Sequence, residues 1–184
     1  EDGENNLSMA CGGDVEVFIS VFTSREKLLI VGAGHISVSL YQIARILDFA
    51  VTVIDSREDY AARHRFPEAE EVIAGDIVSI LKTYPVDNRT SIVIVTPGHE
   101  YDQAALETVI DSPARYIGMI GSRQKIKICY DNLAEKGIPR SRLESIYSPI
   151  GLDIGGERPE EIALAIMAEI QAVRYGKEVG RRGP

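Results

Sequence analysis

The sequence predicts a doubly wound, mostly parallel α/β domain, and three observations carry that prediction. The stretch Lys27–Ser39 runs from Leu28-Leu29-Ile30-Val31 into Gly32-Ala33-Gly34, then into an apolar helical pattern from Ile36. That is a strand, a glycine turn and a helix start. From Lys27 onward, short β-branched runs alternate with helical patterns, as parallel strands joined by crossover helices require. The run Ile92–Val95 is apolar without alternation, the pattern of a strand covered on both faces.

Taken in order, residues 1–8 are polar and read as a mobile end. In 15–21, Val15, Val17, Ile19 and Val21 alternate with Glu16, Phe18 and Ser20, which predicts an extra N-terminal strand. It precedes the glycine unit without an intervening helix and so reads as the remnant or edge of another domain. An edge strand without its own sheet is suited to pairing with a second copy, as a homodimer or strand exchange. Strand one spans 28–31 and its helix 36–47. Strand two is Val51–Ile54, with Asp55 at its end. Pro67 limits the next segment to a short helix near Tyr60. A weak third strand covers 72–74, and Asp76 caps a helix running to Leu81.

Strand four spans 92–95 and its helix 102–110. Strand five spans 116–120, followed by a helix capped by Ser122 and stopped by Gly137. Residues 142–147 predict a short sixth strand. Pro159 opens a last helix with Ile162, Ile166, Ile170 and Val173 on one face. The expected organisation is 1–26 as an N-terminal remnant, 27–176 as a Rossmann-like domain and 177–184 as a tail.

Composition narrows the function. The chain has 184 residues, 45% apolar and 26% charged, enough for one domain with a real core. A net charge of −8 argues against nucleic-acid or anionic-membrane partners. No run reaches the ~18 apolar residues of a membrane span, and the opening "EDGENN" is no secretory signal. Without an initiator Met, the chain is expected to be a fragment or a processed product. Two cysteines, Cys11 and Cys129, offer no disulfide framework, so a cytoplasmic setting is expected.

Ligands of such sheets bind beyond the carboxyl ends of the strands. The polar residues expected there are Gly32-Ala33-Gly34-His35 after strand one and Asp55-Ser56-Arg57 after strand two. Thr96 to Asp102, with Gly98 and His99, follows strand four. Gly121-Ser122-Arg123 follows strand five, and Ser148 to Asp153 follows the sixth. Each has two readings. Gly32 and Gly34 serve either a phosphate or merely a tight turn. Asp55, about 20 residues beyond the glycines, receives ribose hydroxyls or caps the Tyr60 segment. Arg57 pairs with a phosphate or with Glu58's side of the surface. His35 and His99 are acid/base groups or idle loop histidines, and the spacing of His99 and Asp102 fits no strong metal motif. Arg123 at a helix start is suited to phosphate. Cys11 before Gly12-Gly13 is an accessible thiol or a buried one; Cys129 reads as packing.

These motifs occur together as "CGGDVEVFI", "VGAGH", "VTVIDSRED", "RFPEAE", "TPGHEYD", "YIGMIGSRQK" and "SPIGLDIGGERPEEIALAIMAEI". In that order they resemble the xanthine dehydrogenase accessory protein family, the XdhC/CoxI group, with Ser37 in place of the usual glycine of "GAGHVG". The resemblance implies a cytoplasmic maturation factor for molybdenum hydroxylases, a cofactor-binding chaperone more than a catalyst. Such a factor binds molybdenum cofactor (molybdopterin), assists its sulfuration with a cysteine desulfurase and delivers it to the apo-enzyme. It places Cys11 near the pterin and Gly32, Gly34, Asp55 and Arg57 on the nucleotide side. His99, Asp102, Gly121, Ser122, Arg123 and Asp153 line the same cleft. Two rivals use the same rim: an NAD(P)-dependent oxidoreductase with His99 as proton donor, and a nucleotide-sensing regulatory domain.

Overall fold

The computed structural model describes residues 16–18 and 25–177, the side chain of His99 excepted. The strand expected at 15–21 falls mostly outside this range. Its described residues, 16–18, form no strand, and Phe18 is exposed.

Five strands form one parallel sheet: β1 (Lys27–Val31), β2 (Ala50–Asp55), β3 (Glu71–Ala74), β4 (Thr90–Ile94) and β5 (Tyr116–Met119), in the order β3-β2-β1-β4-β5. The predicted doubly wound, Rossmann-like architecture is what forms. Its helices are α1 (His35–Ile46), α2 (Ile77–Thr83), α3 (His99–Val109), α4 (Arg123–Glu135), α5 (Arg140–Leu143) and α6 (Pro159–Arg174).

Side-chain alternation splits the sheet between two cores. Leu28, Ile30, Val51, Val53 and Val93 face the side covered by α1 and α6. Leu29, Val31, Ile54, Ile92 and Ile94 face α2, α3 and α4. Successive residues of a strand point to opposite faces, so a strand buried on both must be apolar throughout. β4 starts at Thr90, earlier than the apolar pattern shows. Thr90 is fully buried because its hydroxyl is held by Asp87, at 3.1 Å.

The caps follow the sequence. Asp76 accepts from the Ser79 N–H at 2.8 Å, Ser122 accepts from the Lys125 N–H at 3.4 Å, and Gly137 takes φ +95° behind α4. α6 opens at Pro159, with the Glu161 carboxylate accepting the N–H groups of Glu157 and Arg158.

The expected sixth strand is a correction. Residues 140–143 form the short α5, and only Tyr147 reaches the sheet, as an isolated parallel bridge to Gly118. Pro149 has no N–H to continue that ladder, and the Ile150 N–H bonds the Met119 carbonyl instead, at 3.1 Å. Near Tyr60 the chain makes one turn closed on the Arg57 carbonyl and then a single 3-10 turn, Arg63–Arg65.

Candidate functional site

The register brings the carboxyl ends of the strands level. Val31 lies opposite Ile54 on one side and Ile94 on the other, and Ile94 lies opposite Met119. The loops beyond them are tied in series. The Val95 N–H bonds the Val31 carbonyl at 2.8 Å, and the Ile120 N–H bonds the Ile94 carbonyl at 3.0 Å. The Ser148 hydroxyl reaches the Met119 carbonyl at 3.3 Å. The predicted rim is therefore one continuous edge.

Its centre is the glycine turn. Gly32 has φ +105°, and a Cβ there would lie 2.5 Å from the Val95 carbonyl oxygen, so only glycine lets the turn sit against β4. Gly34 differs, because a Cβ on it would meet nothing within 4 Å. Its bare backbone faces open space at the start of α1. No side chain caps that helix start and no acid lies in its first turn, so nothing in the helix itself offsets its positive dipole end. Ser37, at the third glycine position, is fully buried and donates its hydroxyl to the Gly32 carbonyl at 2.6 Å. The serine fastens the turn from within the helix. His35 is exposed on the first turn of α1.

Asp55, buried at the end of β2, is already saturated. One oxygen accepts the Arg57 backbone N–H and Nε, both at 2.9 Å. The other accepts the Ala33 N–H at 2.7 Å and Arg57 Nη2 at 2.8 Å. A carboxylate has about four lone-pair positions, and all are filled. Burial pushes its pKa up, but the hydrogen bonds from Arg57 and Ala33 and the guanidinium charge outweigh that, leaving it below the usual carboxylate value. For a ribose to use this acid, Arg57 would have to leave it.

Two residues that the sequence reading did not single out complete this end. The Tyr60 ring carries the Arg57 guanidinium 3.6 Å from its centroid and the Arg65 guanidinium at 5.1 Å. Arg65 Nη1 also donates to the carbonyls of Ala33, at 2.6 Å, and Tyr60, at 2.7 Å. Two cations thus flank the glycine turn. Arg65 was visible in "RFPEAE", but nothing local in the sequence folds it back to residue 33.

Along the rest of the rim, Asp102 is buried and accepts the Thr96 N–H and hydroxyl at 3.1 and 2.6 Å, fixing the 96–98 loop. Gly98 caps α3, and His99 opens it. Gly121 and Ser122 lead into α4, where Arg123 is exposed, and Asp153 is exposed in the loop before α6. Cys11 lies outside the described residues. Between α3 and α4 a cleft of about 200 Å³ is lined by Met119, Ile120, Ile126 and Cys129, with Glu100 and Lys125 supplying polar groups. Burial, then the charge of Asp102, pushes the Cys129 thiol up to about 11. It is a packed thiol, not a nucleophile.

Glu169, an acid on the apolar face of α6, was also missed. It is buried, accepts from the Tyr116 hydroxyl at 2.5 Å and from the Gly151 N–H at 3.0 Å, and ties the last loop beneath the rim. A carboxylate at heptad spacing from Ile162 was the available signal. Among the described residues, no cluster of His, Cys, Asp and Glu is arranged to hold a metal ion, and no helix is long and apolar enough to cross a membrane.

Residues 28–170 match the family described as XdhC Rossmann domain. The chain is 30% identical over 173 residues to a protein of Escherichia coli K12 named YqeB, an overlap of 94% of this chain and 32% of YqeB. It is 32% identical over 158 residues to a Bacillus subtilis protein named as a probable xanthine dehydrogenase subunit, covering 86% of this chain and 46% of that protein. The chain therefore spans less than half the length of both. A crystal structure described as a xanthine dehydrogenase from Bacillus halodurans superposes with a TM-score of 0.74 at 29% identity, over 87% of this chain and 45% of that one. The ChuY protein of Escherichia coli shares the fold, with a TM-score of 0.52 at 11% identity, over 79% of this chain and 90% of its own.

Proposed function

Since the chain belongs to the XdhC Rossmann-domain family, we propose that it is the cofactor-holding part of an accessory protein for a molybdenum hydroxylase of the xanthine dehydrogenase type. In this reading it binds molybdopterin and assists sulfuration and insertion of the cofactor. One observation carries the reading beyond the family. The uncapped start of α1 stands over the bare Gly34 backbone, with Arg57 and Arg65 beside it. A phosphate-bearing group fits that set: a helix start with no side-chain cap, its positive dipole end and two guanidiniums. The bound cofactor supplies the molybdenum centre; this chain supplies binding and orientation. Gly32 and Ser37 hold the turn, Gly34 and His35 border the phosphate, and Asp102 holds the 96–98 loop that carries His99. Gly98, Gly121, Ser122, Arg123 and Asp153 form the remaining wall, and Cys11 is the candidate thiol near the pterin.

The wider proposal follows the same family. Residues 27–176 form the cofactor domain, 1–26 the end of a preceding one and 177–184 a tail. The apo-hydroxylase and a cysteine desulfurase are the partners, in the cytoplasm. Titrating molybdopterin into this chain and into its full-length parent tests the reading. Saturable binding weakened by Gly34→Val supports it, and no binding to either protein removes it. A nicotinamide nucleotide is the second reading, favoured by Arg57 at the ribose position, where it covers Asp55.

A further inference from the structure

We infer that the β2 end of this cleft selects a nucleotide whose ribose carries a 2′-phosphate, of the NADP(H) class, over one with a free 2′,3′-diol. The inference rests on the reading that the glycine turn holds a phosphate-bearing ligand. Recognition of a diol requires open acceptor positions on the acid that ends β2. Asp55 has none, because Arg57 fills three and the Ala33 N–H fills the fourth. With Arg57 clamped on it, Asp55 presents no uncompensated negative charge to repel a phosphate.

The donors available at this position are guanidinium N–H groups. Arg57 makes its described hydrogen bonds through the backbone N, Nε and Nη2, leaving Nη1 uncommitted, and its side chain is 35% exposed. Arg65 makes its bonds through Nη1 alone, leaving Nε and Nη2 uncommitted. Both guanidiniums sit over the Tyr60 ring, at 3.6 and 5.1 Å from its centroid, a contact that consumes no N–H donor. Guanidiniums anchored by hydrogen bonds suit a phosphate monoester, which accepts paired N–H groups. Besides Asp55, the acids of the 55–65 segment are Glu58 and Asp59, both exposed beside the cluster. A pterin's phosphate offers the same monoester chemistry, but the end of β2 is the ribose position, whereas the pyrophosphate position lies at the start of α1.

The test is calorimetric titration of the full chain with NADP+, NAD+, 2′-AMP and molybdopterin. NADP+ is expected to bind at least about tenfold tighter than NAD+, with 2′-AMP binding measurably. Arg57→Ala is expected to reverse the order, weakening NADP+ while NAD+ holds or tightens because Asp55 is released. Arg57→Lys, which keeps the charge, should give an intermediate preference. Equal binding of the two dinucleotides, or tighter NAD+, overturns the inference and leaves the phosphate reading of the turn intact. Molybdopterin binding with no dinucleotide binding does the same. Failure of all four ligands removes both. Parallel loss of NAD+ and NADP+ in a folded Arg57→Ala variant would assign Arg57 a structural role and overturn the inference.

Discussion

Asp55 occupies the position where a ribose-binding acid is expected, yet its immediate task is internal. It joins the end of β2 to the glycine turn through Ala33 and to the next loop through Arg57. Asp55→Ala strands these donors and should cost about 2 kcal/mol in urea unfolding, below a fully buried pair because Arg57 is one-third exposed and partly screened. Its folded pKa lies below the unfolded value of 3.8, so the stabilisation is complete above that value and lost as pH falls through the lower one. Asp55→Asn should therefore flatten the acid limb of the stability–pH curve; a limb unchanged by the substitution would mean that the Arg57 pair does not form in solution. Cys129 makes the opposite prediction at alkaline pH. With its thiol pushed up to about 11, on the order of one thiol in a thousand is ionised at pH 8. Iodoacetamide should leave Cys129 unmodified over minutes in peptide mapping, and rapid labelling would show that α4 opens.

At the scale of elements, the strand–turn–helix unit separates two kinds of glycine. Gly32→Ala combines a positive φ with a backbone clash against Val95 and should cost about 2–3 kcal/mol, read as a lowered urea midpoint. Gly34→Ala places its methyl in open space and should cost about 1 kcal/mol or less as a helix cap, while narrowing access to the backbone. Similar losses at both positions would contradict the distinction. Ser37→Ala should cost about 1 kcal/mol through the bond to Gly32.

These elements also mark where the sequence is readable. The apolar runs at 28–31 and 92–95 specify strands because burial on both faces leaves no other pattern. The Asp76 and Ser122 caps and the Pro159 start are local chemistry and appear where their residues stand. Residues 142–147 mislead because one bridging residue, Tyr147, looks like a strand until Pro149 interrupts the ladder. Arg65, Tyr60 and Glu169 are hidden for a different reason: their partners lie elsewhere in the fold, and no spacing rule joins residue 65 to residue 33 or residue 169 to residues 116 and 151.

For the molecule as a whole, a chain of net charge −8 gathers two arginines on the Tyr60 ring, one of them bonded to the central glycine turn. The parallel sheet contributes the rest by bringing the ends of β1, β2, β4 and β5 level, so that residues from distant parts of the chain share one edge. The central claim is that a phosphate-bearing ligand is held at the start of α1. Amide chemical-shift mapping by NMR, with molybdopterin and with NADP+ added in turn, tests it most directly. At least one ligand is expected to produce the largest shifts at residues 33–37, with NADP+ also moving residues 55–65. Shifts confined to the α3–α4 cleft, or none with either ligand, would contradict it.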